Sequence, residues 1–168
     1  MTQSTSEGVA PSGFRDAMAQ WASGVAVVAV RDAEGLAATT VSSFSSLSLE
    51  PPLVVVALSE RSRTLKRVEA AGRFTVSVLS VAQREVAVKC AKGEAEDAAF
   101  DEGAFVRDGL AGLSCTVEAV HRYGDHLLLV GRVTEVRRGE EQEPLLYWSR
   151  AYRAVSELPS AGTENVPK

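Results

Sequence analysis

Cysteine and histidine, the residues that most often build disulfides and zinc sites, are scarce in this chain. Its 168 residues include two of each. Cys90 and Cys115 lie far apart in the sequence, and no CxxC pair or histidine-rich neighbourhood accompanies them. A disulfide framework is therefore not expected, and no metal site is predicted. We expect both cysteines to be reduced and to pack in the core as small hydrophobic residues.

Long basic runs and long apolar runs are also missing. With a formal net charge of -4, the chain has little electrostatic means of binding a nucleic-acid backbone. No apolar run approaches the roughly 20 residues that span a bilayer, and the opening MTQSTSEGVAPSG lacks the features of a secretory signal. These absences favour a cytoplasmic protein without a membrane segment, whose partners are small molecules or other proteins.

The GxGxxG motif, which forms the dinucleotide-binding turn of Rossmann folds, does not follow any predicted strand. A nicotinamide dinucleotide bound by this chain would therefore need a different kind of site.

Short apolar runs dominate what the sequence does contain. They predict strands over 25–30, 36–43, 53–58, 74–79, 115–120 and 127–136. A few helices interrupt them without a regular βαβ rhythm. The pattern favours a mainly β fold with some α-helix, a closed or partly open β-barrel decorated by helices. One domain is expected over 14–155, with mobile polar tails at 1–13 and 156–168.

Three helices are predicted around these strands. Phe14, Met18 and Trp21 recur at helical spacing after Ser12, a candidate N-cap, so a short amphipathic helix should open the domain with this stripe in the core. The other two helices are 64–71, which stops at Gly72, and 81–91, which opens with a Ser80/Gln83 capping box and stops at Gly93.

A cluster of hydroxyl side chains follows the second predicted strand. Seven hydroxyls occur within ten residues, each able to donate and accept hydrogen bonds. They belong to Thr39, Thr40, Ser42, Ser43, Ser45, Ser46 and Ser48. The cluster is typical either of a solvated strand edge and turn or of a surface that binds a polar ligand.

A basic cluster lies where the next strand runs into a helix. Ser59, Arg61, Ser62, Arg63 and Thr64 precede or open that helix. Helix N-termini offer unpaired N–H groups and a partial positive charge, so the cluster predicts a phosphate site. The alternative is an ordinary capped surface helix with solvated arginines.

Two further segments have candidate side chains. His126, in a Gly-Asp-His turn, could orient a ligand or move a proton, or could simply be an inert turn residue. Near the end of the chain, Tyr147, Trp148 and Tyr152 lie beside Arg150 and Arg153. These side chains could stack on a ring and pair with a phosphate, or could seal a dimer interface or close the barrel. The acidic residues between 94 and 102 are expected to form a solvated loop. No Ser, His and acid constellation supports hydrolysis.

Six landmarks occur in an order that resembles the flavin reductase family, the small NAD(P)H:flavin oxidoreductases that supply reduced flavin to two-component monooxygenases. They are FRDAMAQWASGVAVV, TTVSSFSSLSLEPPLVVVAL, SERSRTL, GRFTVSVLS with Gln83, VHRYGDHLLLVGRV and PLLYWSRAYR. The resemblance covers roughly 14–155. It implies a split β-barrel of the FMN-binding type that forms a homodimer and binds FMN or FAD. It also implies that this flavin accepts hydride from NADH or NADPH.

The resemblance also implies roles for individual residues. Thr39, Thr40, Ser42 and Ser43 would hydrogen-bond the flavin ring edge and ribityl chain, and Ala57, Leu58 and Ser59 would line the next strand's contact. Arg63 and Thr64 would bind the phosphate, with Lys89 approaching the cofactor. His126 would lie near the nicotinamide as the catalytic residue, and Tyr147, Trp148, Ser149 and Arg150 would contact the pyridine nucleotide.

Two positions depart from the family pattern. Ser77 stands where many relatives have Asn, and Cys90 replaces a frequent aromatic residue after Lys89, which leaves the choice between FMN and FAD open. Two alternative functions also stay open. One is a split-barrel oxidase of the pyridoxamine phosphate oxidase type with its own organic substrate, and the other is a flavin-binding module without turnover.

Overall fold

The computed structural model describes residues 8–156, so the predicted tails at 1–13 and 156–168 lie largely outside the described residues. The helices are α1 (Pro11–Met18), α2 (Arg63–Ala71) and α3 (Arg84–Lys92). The strands are β1 (Ser23–Gly24), β2 (Ala26–Asp32), β3 (Gly35–Val41), β4 (Ser45–Ser48), β5 (Leu53–Ser59), β6 (Arg73–Val78), β7 (Ala111–Tyr123), β8 (His126–Arg138), β9 (Leu146–Trp148) and β10 (Ala151–Arg153). Within 8–156, none of the helices has the length and apolar character needed to cross a bilayer.

Seven strands form one antiparallel sheet in the order β3-β2-β6-β7-β8-β5-β4, and β1, β9 and β10 form a small second sheet. The two edge strands of the large sheet, β3 and β4, are joined only by Ser42, Ser43 and Phe44. Such a short connection forces the sheet to curve until its edges meet at this corner. The result is a barrel-like sheet that no continuous ladder closes. The predicted mainly β, barrel-like architecture with a few helices is confirmed.

Strand β2 is buried on both faces and divides the interior into two cores. Val28 packs with α2 residues such as Val68 on one side, and Val27 packs with α3 residues such as Ala87 on the other. Because successive strand residues point to opposite faces, a strand that is buried on both faces requires a continuous apolar run. The helices α2 and α3 are thereby anchored on different faces of the same strand.

Both cysteines are free and buried, as predicted. Burial raises the pKa of the Cys90 thiol to about 11 and that of Cys115 to about 12. Each thiol is therefore neutral near pH 7 and packs as a small hydrophobic group.

All six predicted strands are present. The predicted capping box at Ser80 is also present and opens a short 3-10 turn at 81–83 directly before α3, and both predicted stop residues follow the ends of their helices. Ser80 N–H donates to Gln83 Oε1 at 2.8 Å within the capping box, and Gly72 and Gly93 adopt the left-handed conformation at the helix ends. Strands β7 and β8 are longer than predicted. The ends where they meet, such as Arg122 and His126, and the far end of β8, Arg137 and Arg138, carry polar, exposed side chains, whereas β7 also extends at its start through Ala111–Ser114, where Gly112 and Ser114 interrupt the apolar run.

The prediction for the first helix was wrong in two respects. The helix begins at Pro11, with Ala10 at the N-cap position and no side-chain cap, so Ser12 is not the N-cap. Its apolar stripe is also not in the core, because Phe14 is 61% exposed and Trp21 71% exposed. Nothing within the described part of this chain covers that face.

The acidic segment was predicted to be a solvated loop, and this was only partly correct. Its residues are mostly exposed, but several form ion pairs that tie the loop to the barrel. Asp97 pairs with Arg31 at 2.6 Å and Asp101 with Arg137 at 2.8 Å.

Candidate functional site

A basic cleft of about 530 Å³ lies between the first half of β3, the N-terminus of α2 and the C-terminal end of α3. It contains four cationic side chains and the single carboxylate Glu34. The lining residues that matter below are Thr39, Ser59, Arg61, Ser62, Arg63, Thr64, Arg67, Lys92 and Gly93. The structure thus brings together the predicted residues Thr39, Ser59, Arg63 and Thr64 from two separate stretches of sequence.

The N-terminus of α2 supplies the polar character of this cleft. Ser62 is the N-cap, and its Oγ accepts from Leu65 N–H at 3.3 Å. The remaining N–H groups of the first turn, together with Arg61 and Arg63, create a positive end that favours an anion. Arg63 donates to the Gly93 carbonyl at 3.3 Å, which links the start of α2 to the end of α3.

The two threonines of β3 point to opposite faces, as neighbouring strand residues must. Thr39 lines the basic cleft. Thr40 turns the other way, and its Oγ1 donates to the Ala87 carbonyl of α3 at 2.7 Å. The Thr40 hydroxyl therefore holds α3 against β3, and only Thr39 of this pair presents its side chain to the cleft.

A second cleft, of about 830 Å³, has five aromatic side chains in its lining and lies beyond the other end of the hydroxyl cluster. We call it the aromatic cleft. It is bounded by α1, the segment 42–45 and the β9–β10 turn. Its lining includes Phe14, Met18, Trp21, Ser42, Ser43, Tyr147, Trp148, Ser149 and Arg150. The hydroxyl cluster thus contributes Thr39 to the basic cleft and Ser42 and Ser43 to the aromatic one.

Ser43 and Ala57, both predicted cofactor contacts, bond to each other at the corner of the barrel. The Ser43 hydroxyl donates to the Ala57 carbonyl at 2.8 Å and accepts from Ala57 N–H at 3.2 Å. This side chain extends the pairing of β4 with β5 by one step. Leu58, the next predicted contact, is buried in the core, so Ser59 is the residue of β5 that reaches the basic cleft.

The turn between β9 and β10 has a strained backbone. Ser149 and Arg150 have φ values of 49° and 60°, the left-handed conformation that a two-residue hairpin turn requires and that glycine or asparagine usually adopts. Contacts with α1 hold this turn in place. Ser149 N–H donates to the Ala19 carbonyl at 2.9 Å, and Arg150 pairs with Asp16.

Lys89 lies apart from both clefts in an ion-pair network on α3. Its ammonium is 2.9 Å from Glu85 and 2.9 Å from Glu96. Hydrogen bonds to Glu96 and Glu85 raise the Lys89 pKa, and they already compensate its positive charge. Its predicted approach to a cofactor stays a prediction.

His126 is the first residue of β8 and stands opposite Ser59 in the ladder between β8 and β5. Its side chain is 50% exposed, and Nδ1 lies 2.8 Å from Asp125 Oδ1. This contact lowers the Asp125 pKa. The histidine is thus fixed beside a cleft residue without lining either cleft itself.

Sequence reasoning did not assign three of the residues that line these clefts to a site. Arg67 of α2 lines the basic cleft and pairs with Asp32 at the β2–β3 turn. It follows Arg63 by one helical turn, and this spacing could have indicated that both arginines lie on the same side of the helix. Phe14 and Trp21 line the aromatic cleft and were assigned to the core instead, because periodicity does not reveal what a helix face packs against.

The fold and the two clefts define an open, barrel-like class of protein with a basic cleft at a helix N-terminus and a second cleft that exposes aromatic side chains. The model of the flavin reductase like domain matches residues 18–156. Among curated proteins, the chain is 47% identical over 142 residues to the reductase component of 4-hydroxyphenylacetate 3-monooxygenase from Thermus thermophilus, covering 84% of this chain and 95% of that protein. It is 41% identical over 151 residues to an NADH:riboflavin 5'-phosphate oxidoreductase from Streptomyces pristinaespiralis, covering 84% and 86%.

Solved structures agree with this assignment. The styrene monooxygenase flavin reductase from Pseudomonas putida S12 superposes with a TM-score of 0.79 at 33% identity, over 88% of this chain and 99% of that chain. The flavin reductase PheA2 gives a TM-score of 0.83 at 31% identity, over 89% and 100%. The chain belongs to the flavin reductase like domain family, and its fold is the split-barrel fold of these reductases.

Proposed function

We propose that this protein is an NADH-dependent flavin reductase that supplies reduced flavin to a monooxygenase. The observation that carries the proposal is the basic cleft, where Thr39 and Ser59 meet the N-terminus of α2 with Arg63 and Thr64. Relatives over most of this chain's length are named as NADH-dependent FMN or flavin reductases and as monooxygenase reductase components, which supports the same activity here.

The residues present fit a flavin phosphate. Cationic side chains and helix N–H groups suit a phosphate dianion, and the hydroxyls of Thr39 and Ser59 suit a ribityl chain. The neighbouring aromatic cleft offers Ser42 and the ring of Trp148 beside the other end of the hydroxyl cluster. In this proposal the phosphate lies at Arg63 and Thr64, and the rest of the flavin follows β3 toward Ser42.

A bound flavin supplies the redox chemistry by accepting hydride from the reduced nicotinamide. The chain's own residues bind the flavin and the reduced nicotinamide and orient them toward each other. Holding the two reactants in a reactive geometry accounts for most of the expected rate acceleration. His126, fixed by Asp125 beside Ser59, is proposed to orient the nicotinamide. Tyr147, Trp148, Ser149 and Arg150 are proposed to contact the pyridine nucleotide in the aromatic cleft.

A homodimer is part of the proposal. Phe14, Trp21 and Trp148 expose large apolar surfaces next to one another around the aromatic cleft, and contiguous surfaces of this kind mark interaction sites. A second copy of the chain is the partner that this surface is proposed to bind. The predicted cytoplasmic location and the absence of nucleic-acid binding stay predictions.

The test is the oxidation of NADH, and separately of NADPH, by purified protein with and without FMN, FAD or riboflavin. We expect a flavin-dependent loss of the reduced-nicotinamide absorbance, and the comparison also identifies the preferred donor and flavin. Flavin that stabilises the fold without any turnover would indicate a binding module. Turnover that needs an organic substrate and consumes oxygen would indicate an oxidase.

A further inference from the structure

We propose that Arg67 is a positioning residue that sets the width of the basic cleft by clamping the β2–β3 turn to α2, and that this clamp underlies a preference for phosphorylated flavins. The inference rests on the proposed flavin-binding function and adds to it a residue that does not itself touch the ligand.

The clamp is a fork of hydrogen bonds. Arg67 Nε donates to Asp32 Oδ2 at 2.8 Å, and Nη2 donates both to Asp32 Oδ1 and to the Gly35 carbonyl at 2.6 Å. Asp32 Oδ1 also accepts from Glu34 N–H at 2.8 Å within the turn. The Arg67 and Asp32 side chains are only 18% and 27% exposed. A planar guanidinium held in this way fixes both distance and orientation.

The same bonds leave Arg67 poorly suited to bind an anion directly. Its charge is neutralised by Asp32, whose pKa is lowered mainly by the hydrogen bond from Arg67. In contrast, the hydrogen bond that Arg63 makes is a 3.3 Å contact with a neutral carbonyl, so its charge stays uncompensated there. Of these two arginines of the cleft, Arg63 is thus the candidate ligand, and Arg67 supports the wall behind it.

The position of the clamp explains why it controls the cleft. Asp32 ends β2 and Gly35 begins β3, so both ends of the turn are tied to α2. The cleft lies between that hairpin and the helix, with Glu34 and Thr39 on one wall and Arg63 on the other. Leu65 and Val68 anchor α2 in the core independently of Arg67. Loss of the clamp should therefore allow the β2–β3 hairpin and α2, the two walls of the basic cleft, to move relative to each other without unfolding α2.

The experiment measures the dissociation constants of FMN and riboflavin, which differ by the phosphate, for wild type, Arg67→Met, Arg67→Lys and Asp32→Asn. In Arg67→Met we expect the preference for FMN over riboflavin to fall by roughly fivefold or more, since a phosphate site must be held within about 0.5 Å to bind well. Arg67→Lys should behave in the same way, because an ammonium keeps the charge but cannot form the fork.

Asp32→Asn decides between a clamp and a direct ligand by the sign of its effect. If Arg67 acts through the clamp, weakening its partner lowers the FMN preference. If Arg67 binds the phosphate itself, release from Asp32 raises the FMN affinity, and that result would overturn the inference. A wild-type FMN preference in Arg67→Lys would also overturn it.

The matched control is Arg132→Met. Arg132 forms a similar fork with Glu118, at 2.9 and 2.8 Å, on the β7–β8 hairpin outside the residues that line the basic cleft. It should leave the ratio of FMN to riboflavin affinity at the wild-type value. If Arg132→Met also lowered the preference for FMN over riboflavin, the effect of the Arg67 variants would reflect general destabilisation. That result would overturn the proposed role of the clamp. Wild-type protein that binds neither flavin would instead contradict the proposed function.

Discussion

Helices α1 and α2 are nearly equal in length and both have one apolar face, yet they differ in what covers that face. Leu65 and Val68 of α2 are 1% and 0% exposed in the core of their own chain. Phe14 and Met18 of α1 are 61% and 49% exposed. An apolar stripe thus does not reveal whether its helix face is buried within the same chain, because the packing of the rest of the structure determines that.

The difference also matters for the two clefts. Because α2 is anchored in the core, its N-terminus is a rigid wall of the basic cleft and can hold cations at fixed positions. Helix α1 and the residues directly after it are tied to the β9–β10 hairpin by polar contacts, including one in which Trp148 Nε1 donates to the Gln20 carbonyl at 3.2 Å. The aromatic cleft is therefore an open surface, whose completion by a second copy is part of the proposed function.

The largest contrast should appear in stability. Leu65→Ala removes a buried side chain and is expected to lower the free energy of unfolding by about 2–5 kcal/mol. Phe14→Ala, at an exposed site, should lower the stability of the dissociated chain by less than about 1 kcal/mol. Urea denaturation at low protein concentration compares the two. Equal losses would mean that α1 is anchored as firmly as α2.

Trp21→Ala tests whether a second copy covers α1. Truncation of a buried aromatic anchor typically weakens an interface by about 2 kcal/mol or more, so this variant should dissociate at concentrations where the wild type is dimeric. Sedimentation velocity measures the change. Tyr123→Ala, which removes an aromatic residue that is also largely exposed but lies at the β7–β8 turn, is the control. An unchanged dimer in Trp21→Ala, or a monomeric wild type, would rule out this surface as the interface.

Arg63→Ala tests whether the N-terminus of α2 binds the phosphate of FMN. Loss of a charged hydrogen bond to phosphate should weaken FMN binding by about 1–3 kcal/mol, with a smaller effect on riboflavin. Lys66→Ala removes an exposed cation of the same helix that does not line the cleft and should change neither affinity. Calorimetric titration distinguishes the two variants, and wild-type FMN affinity in Arg63→Ala would reject its phosphate role.

The smallest expected effect is that of His126→Ala. Because His126 is fixed beside Ser59 but lines neither cleft, we expect a slower reduction step or a higher KM for the nicotinamide, with flavin affinity nearly unchanged. Steady-state kinetics together with flavin titration separate these quantities. A parallel loss of flavin affinity and turnover would indicate that the residue only stabilises the β7–β8 turn.

Elements with strong local signals could be predicted from the sequence. The apolar runs of β2 and β5 and the capping box at Ser80 depend on neighbouring residues, and the structure confirms them. Strands β1, β4, β9 and β10 were missed because they are short and carry weak local signals; β4, for example, is rich in serine.

The site was predictable only in part for a related physical reason. Thr39 and Thr40 are adjacent in the sequence, but one lines the basic cleft and the other bonds to α3. The packing positions of the helices determine which face of β3 lines a cleft. The pairing of Ser43 with Ala57 and of Arg67 with Asp32 likewise depends on tertiary contacts that no local pattern contains.

The most direct test of the account is an anaerobic single-turnover experiment, in which protein loaded with FMN is mixed with NADH while the absorbance bands of both cofactors are followed. The account predicts that the oxidised-flavin band bleaches in step with the loss of one equivalent of NADH, much faster than for free FMN. Flavin that binds but reacts with NADH no faster than it does in free solution would contradict it.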